Sequence, residues 1–321
     1  MAISMIALDR IFENSIMEVD VFANLLRDNG NWILSDVRKM EDKMIIERIN
    51  KFGLHIDKKS FSKQIKKYPS AEAYYRLLDS PGNLKLEGKD SDFLWRGLTV
   101  LWERWFPEVP NFEMLDDKID SGYKLAEERK FEKAYNIWKE AWKDILYIMD
   151  NHNIEKIEAF DCEFKGTYSI SEWGLDFDKA FNILGVCDEK FLERRIDFCS
   201  EFIKRSRYKK NKPNIQKLKA SIAESYIRLG RQREGDALFN SCLNDDPKWG
   251  YGWILWSNCY WTFYGTKQID YQKAESILKN ALTIGELRDR DDVAKRLREF
   301  YDETGWEKEE AAIEKMLREY N

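Results

Sequence analysis

The chain is poor in the residues that usually mark a chemical site. It has two histidines, His55 and His152, far apart, and five widely spaced cysteines: Cys162, Cys187, Cys199, Cys242 and Cys259. No C-x-C or C-x2-C pair occurs, so the converging ligand set of a structural or catalytic metal is missing and no metal or cofactor is expected. An odd number of scattered cysteines argues against a disulfide framework and for reduced, mostly buried thiols in a cytoplasmic protein. No glycine-rich loop has the Walker or dinucleotide spacing, and no nucleophile elbow is present, so no catalytic residue is assigned. A hydrolase in the segment 150–170 would have only His152, Asp161 and Cys162 to work with. In the opening MAISMIALDRIFENSIMEVD, Asp9, Arg10 and Glu13 interrupt the apolar stretch, so neither a secretory signal nor a membrane span is expected there. The formal charge of −5 exerts no general pull toward nucleic acid or anionic lipid.

What is present is the composition of amphipathic helices: 43% hydrophobic residues, 35% charged residues and only six prolines. Met40, Met44, Ile45, Ile49 and Phe52 recur at helical spacing and stop at Gly53. Ser70 stands as an N-cap for a helix to Leu78. Residues 1–79 thus form a helical region, and the polar tract 80–92, with Pro81, Gly82 and Gly88, reads as a linker. A wide apolar face follows, made of Leu94, Trp95, Leu98, Leu101, Trp102 and Trp105, and Pro107 and Pro110 end that helix.

From Phe112 onward a repeat of about 34 residues emerges. Gly122, Ala134, Trp138 and Ala141 occupy small-residue and A-x3-aromatic positions around a turn at residues 129–132. Residues 150–170 are irregular, and helical spacing returns at Leu175–Leu184. The clearest unit spans 216–249: Ala223 and Tyr226 lie in its first helix, Gly230 and Arg231 in its turn, and Phe239, Cys242 and Pro247 in its second helix and exit. One period on, Ala223 falls on Ser257 and Tyr226 on Tyr260, within Trp253-x2-Trp256-Ser257-x2-Tyr260, the spacing of a tetratricopeptide first helix. That unit runs over 250–288, with Ala274, Leu278 and Ala281 and a lengthened turn at 265–270. Residues 290–321 form a charged capping pair. The expected fold is all-α: a right-handed superhelical solenoid of antiparallel, tetratricopeptide-like helix pairs over 93–321, preceded by the extra N-terminal helical region.

The stretches Phe93-Leu94-Trp95 to Trp102-Glu103-Arg104, Ala223-Glu224-Ser225-Tyr226, Asp245-Asp246-Pro247 and Gly250-Tyr251-Gly252-Trp253 resemble bacterial tetratricopeptide-type proteins that often carry a small zinc motif called SEC-C. The SEC-C cysteines are absent here, so the likeness implies the helical repeat without the zinc.

Two features stand out as surface candidates. The segment Trp249–Tyr264 holds eight aromatic residues in sixteen, more than repeat packing requires. Trp253, Trp256 and Tyr260 share one helical side and are expected in the core. The resemblance places the concave groove of such arrays on Lys217, Glu224 and Arg228 of one first helix and Tyr251, Asn258 and Trp261 of the next. Tyr251 and Trp261 are expected to be exposed there, making a groove for a protein or peptide partner. Ala220 and Ile254 stand where a carboxylate-clamping array would carry cations, which argues against a clamp. The second feature is the basic run 204–212, where Lys204, Arg205, Arg207, Lys209 and Lys210 could hold an anion. Its simpler reading is a helix C-terminus followed by a solvated loop ending at Pro213. The expectation is therefore a non-enzymatic scaffold, with a nucleic-acid-associated regulator as the alternative.

Overall fold

A computed structural model of the chain describes Met5 and residues 32–79, 84, 86, 89–262 and 269–305, with the backbone alone for Lys89 and residues 208–211. All fifteen regular elements among the described residues are α-helices, and none is a strand. None of these helices is long and apolar enough to cross a membrane. The chain forms two compact units, Met1–Trp173 and Gly174–Asn321.

The first unit is organised by its fifth described helix. Short helices α1 (Leu34–Val37), α2 (Asp42–Lys51), α3 (Lys58–Gln64) and α4 (Ala71–Leu78) precede the long α5 (Lys89–Trp105). The apolar face of α5 is fully enclosed at Phe93, Leu94, Trp95, Leu98, Leu101 and Trp102. Helices α1, α2 and α4 pack against it, and Ile45, Ile49, Phe61 and Tyr74 complete one core. The linker expected at 80–92 is therefore not where the compact units part. Helices on both sides of it share this core, and the division lies between Trp173 and Gly174. Of that tract only Leu84, Leu86 and residues from 89 onward are described. As expected, Ser70 caps α4, its Oγ accepting from the Ala73 N–H at 2.9 Å, and α2 stops just before Gly53, whose φ is +81°.

Next come α6 (Phe112–Glu127) and α7 (Phe131–Asn151), which pack on each other across the turn expected at 129–132. Gly122 permits their approach: a Cβ there would lie 2.0 Å from Trp138 Nε1. The same nitrogen donates to the Ile119 carbonyl at 3.1 Å. The segment 150–170 is less irregular than its sequence suggests, since it contains the helix α8 (Ile157–Phe164). Ile157, Phe160 and Phe164 fall on one buried stripe, but eight residues give too short a window for the period to stand out.

The second unit receives α9 (Ile170–Leu184) from Gly174 onward. It continues with α10 (Lys190–Arg205), α11 (Tyr208–Arg228), α12 (Gln232–Asp245), α13 (Gly250–Asn258), α14 (Tyr271–Leu282) and α15 (Arg290–Thr304). From α10 on, each helix packs on the next, and the alternate helices α11, α13 and α15 also meet in succession. Neighbour and next-but-one contact is the pattern of stacked helix pairs. The expected turn at Gly230 is present, with φ +82°. At Gly250 a Cβ would lie 2.0 Å from the Arg288 carbonyl oxygen, so only glycine lets α13 start against the turn before α15. The expected loop up to Pro213 is absent: α11 has begun by Tyr208, and Pro213 lies inside it. The turn at 263–268 and the second helix of the capping pair, from residue 306, lie outside the described residues.

Candidate functional site

One face of the second unit is hollowed. Two adjoining cavities of about 520 and 550 Å³ share Asn182, Glu224 and Leu255 in their walls. Helix α9 contributes Leu175, Asp178, Lys179, Asn182 and Ile183; α11 contributes Lys217, Ala220, Ser221, Glu224 and Arg228; α13 contributes Tyr251, Leu255 and Asn258. On α11, Lys217, Ser221, Glu224 and Arg228 step by three or four residues, which is one stripe of a helix, with Ala220 beside it. The steps from 251 to 255, 258 and Thr262 trace the same stripe one repeat later. Asp289 and Asp292 close one end of the face, while Val186 and Cys187 close the other.

Five of the six expected groove residues line these hollows: Lys217, Glu224, Arg228, Tyr251 and Asn258. Tyr251 is 47% exposed, as its phase requires. Trp261 is the correction. It is 3% exposed, its ring edge-on to Phe300 at 5.2 Å, with the Arg296 guanidinium 4.2 Å above it. The cause is a slip of one residue. A 34-residue step carries Arg228 to Thr262, which does line the hollow, whereas Trp261 corresponds to Ile227, a core residue. One residue is about 100° of helix, enough to exchange groove for interior.

Of the six described aromatic residues of 249–264, four are buried: Trp249, Trp256, Tyr260 and Trp261. Trp256 and Tyr260 are buried as expected, and both donate to Asp236 Oδ1 of α12, at 2.7 and 2.6 Å. Lys273 of α14 completes that cluster, pairing with Asp236 and donating to the Tyr260 hydroxyl at 2.8 Å. Trp253, expected in the core, is only half-buried, its Nε1 donating to the Pro247 carbonyl at 3.0 Å.

A charged network underlies the hollows. Arg195 of α10 is buried and grips Asp178 through Nε at 2.6 Å and Nη2 at 3.1 Å. Its Nη1 reaches Glu224 at 3.0 Å, and Ser221 Oγ donates to Asp178 at 2.7 Å. Glu224 also faces Arg228 Nη1, at 3.4 Å, and that nitrogen donates to Asn182 Oδ1 as well. Burial, reinforced by the nearby Arg195 charge, lowers the Arg228 pKa although Glu224 acts the other way. Burial raises the thiol pKa values of Cys199 and Cys259, which makes neither a ready nucleophile.

Three members of the basic run have acidic neighbours. Lys204 and Arg205 both face Glu201, at 3.6 and 2.7 Å, and Lys212 lies 3.9 Å from Asp246. Arg207 lies between α10 and α11, and the side chains of Lys209 and Lys210 are outside the described residues. Asp161 accepts from the Ile170 and Ser171 N–H groups, capping α9. The groove residues of α9, above all Asn182, were missed in the sequence. The signal was there, since 175, 179, 182 and 186 repeat the spacing of 217, 221, 224 and 228. No family model matches the sequence, and no curated protein or solved structure does.

Proposed function

We propose that the second unit is a tetratricopeptide-like array that holds an extended peptide or a partner helix of another protein, without catalysing a reaction. One observation carries the reading: five of the six residues that the tetratricopeptide resemblance assigned to a groove line two adjoining hollows on one face. The walls combine an exposed tyrosine, aliphatic residues, two asparagines and charges of both signs, a mixture suited to a polypeptide with alternating side chains. Five free cysteines, three of them buried, support a reducing, cytoplasmic setting. The nucleic-acid alternative gains no support from Lys204 and Arg205, which share an acid of their own helix.

Selection of a random peptide library against the whole protein tests this reading. Wild type should enrich peptides that a Lys217→Glu/Tyr251→Ala variant of unchanged melting temperature no longer retains. Equal retention by both proteins, or no enrichment at all, would overturn it.

A further inference from the structure

The surface of the first unit carries a charge that its own chain does not balance. Lys58, Lys59, Lys63, Lys66 and Lys67 fall within ten residues, on α3 and its exit turn, and all five are exposed. Asp57 is the only acid from residue 48 to residue 71. It is occupied as the cap of α3, accepting from the Lys59 and Ser60 N–H groups at 2.8 and 2.9 Å. Asp42 of α2, close enough to feel Lys58, is already held by Arg104 Nη1 and Trp105 Nε1, both at 2.7 Å. Lys58 Nζ lies over the Phe106 ring at 5.5 Å. None of the five lysines has an ion-pair partner among the described residues.

Elsewhere the chain pairs its helical lysines one turn away: Lys39 with Asp36, Lys43 with Glu47, Lys143 with Glu140, Lys179 with Asp176 and Lys279 with Glu275. On α3 the residue one turn beyond Lys59 is Lys63, and one turn beyond Lys63 come Lys66 and Lys67. Like charges at that spacing repel and weaken a helix, so the free protein is less stable for having them. The other side of α3 explains why the helix forms. Phe61 and Ile65 are buried, and the Phe61 ring meets Trp102 and Trp105 edge-on at 6.1 and 5.9 Å. Packing holds the helix by its apolar side and turns the lysines to solvent.

The density of charge points to the partner. At helical rise ten residues span about 14 Å, so five lysines give roughly one positive charge per 3 Å. A nucleic-acid strand carries one phosphate per roughly 3.4 Å of duplex axis, nearly the same density. The apolar residues between Lys58 and Lys67 are Phe61 and Ile65, both buried, so this stretch has nothing to insert into a bilayer. Its rings are taken up by packing too, Phe61 in the core and Tyr68 stacked on Tyr74 at 5.5 Å, which leaves no platform for an unpaired base. Lysine ammonium groups are mobile point charges that follow phosphates without reading base edges.

We propose that α3 and its exit turn form a contact surface for double-stranded nucleic acid, held through the phosphate backbone without regard to sequence. This surface lies in the first unit and owes nothing to the peptide groove of the second. The formal charge of −5 on the whole chain opposes the approach of a polyanion, so the contact is read at low salt.

The test is fluorescence anisotropy of two labelled DNA duplexes of about 20 base pairs and unrelated sequence. Each is titrated with the full chain at several salt concentrations. Both should bind equally, with log K falling against log salt at a slope of about −4, the value for four to five phosphate contacts. In Lys59→Gln/Lys63→Gln/Lys66→Gln/Lys67→Gln the affinity at about 50 mM salt should fall by about tenfold or more, and the slope should shrink to about −1. That variant removes like-charge repulsion and no buried group, so its melting temperature should not fall. Lys204→Gln/Arg205→Gln should bind as wild type does. Vesicles containing about one-third phosphatidylserine should not sediment the protein at the same salt. Absence of binding to either duplex, or undiminished binding by the fourfold variant, overturns the proposal. Equal loss in Lys204→Gln/Arg205→Gln would show a whole-chain charge effect and overturn the site. A tenfold preference for one duplex overturns the backbone reading. Lysine-dependent sedimentation with the vesicles overturns the choice of nucleic acid in favour of an anionic membrane.

Discussion

The two units differ in how their most deeply buried carboxylates are held. In the first, Glu113 and Asp116 are held by backbone N–H groups, although Asp120 pairs with Lys124 at 2.9 Å. Glu113 accepts from the Ala71 and Glu72 N–H groups at the start of α4, at 3.0 and 2.9 Å. Asp116 accepts from the Thr167 N–H and hydroxyl at 2.8 and 2.9 Å, and Asp161 caps α9. In the second unit the charges beneath the hollows face one another, Arg195 with Asp178 and Glu224, and Arg228 keeps two buried donors without acceptors. A buried polar group whose hydrogen bonds are complete belongs to the architecture.

The largest effect should come from the residue that changed sides. Trp261 belongs to the interior of the second unit, against Phe300 and beneath Arg296. Trp261→Ala should cost about 3–5 kcal/mol, read as a large fall in melting temperature. An unchanged melting temperature would return Trp261 to the groove and undo the distinction between its aromatic interior and its polar wall.

The first unit can be tested through pH. Burial pushes the Glu113 carboxyl from 4.5 up to about 7, its two backbone hydrogen bonds opposing the rise. The folded state therefore holds this proton over a range in which the unfolded chain releases it. The resulting stability is complete below pH 4.5 and is lost as pH rises toward 7. A shift of that size corresponds to about 3 kcal/mol. Wild type should lose this much relative to Glu113→Gln between pH 4.5 and 7.5, measured by denaturant unfolding at several pH values. Parallel profiles for the two proteins would mean that Glu113 titrates normally.

Much of this was legible in the sequence, for reasons that particular residues make plain. Gly122 and Trp138, Gly230, and the Ala223–Ser257 equivalence follow from helical period and turn chemistry, which are local properties. The groove phase was legible through the tetratricopeptide resemblance, whose register repeats from α11 to α13. It failed at Trp261, where a single position decides between core and wall, and it was overlooked on α9, where the repeat motif is weak. The one-sided pairing of Arg228 was not legible at all. It depends on Asn182 and Glu224, which lie 46 and 4 residues away and meet its other nitrogen only in the folded chain.

A smaller effect should sharpen the contrast within the second unit itself. Asp236 joins α12, α13 and α14 by accepting from Trp256, Tyr260 and Lys273, a complete network away from the hollows. Asp236→Asn removes the ion pair and forces at least one donor to lose its acceptor, at a cost of about 1–3 kcal/mol. Calorimetry showing no loss would mean that complete and incomplete networks cannot be told apart by their contribution to stability.

The smallest effect should have the opposite sign. Arg228→Met keeps most of the side-chain volume and removes the two buried donors that lack acceptors. Glu224 is not stranded by the change, because Arg195 still holds it at 3.0 Å and its side chain is 27% exposed. The lost interaction with Arg228 is the longer one, at 3.4 Å. Replacing an imperfect buried charge by a packed apolar side chain is neutral or stabilising in such settings, so the unliganded protein should gain between zero and about 1 kcal/mol. A marked loss of stability in Arg228→Met would instead make Arg228 a structural ion like the buried Arg195, and the contrast between the two units would fail at its central residue.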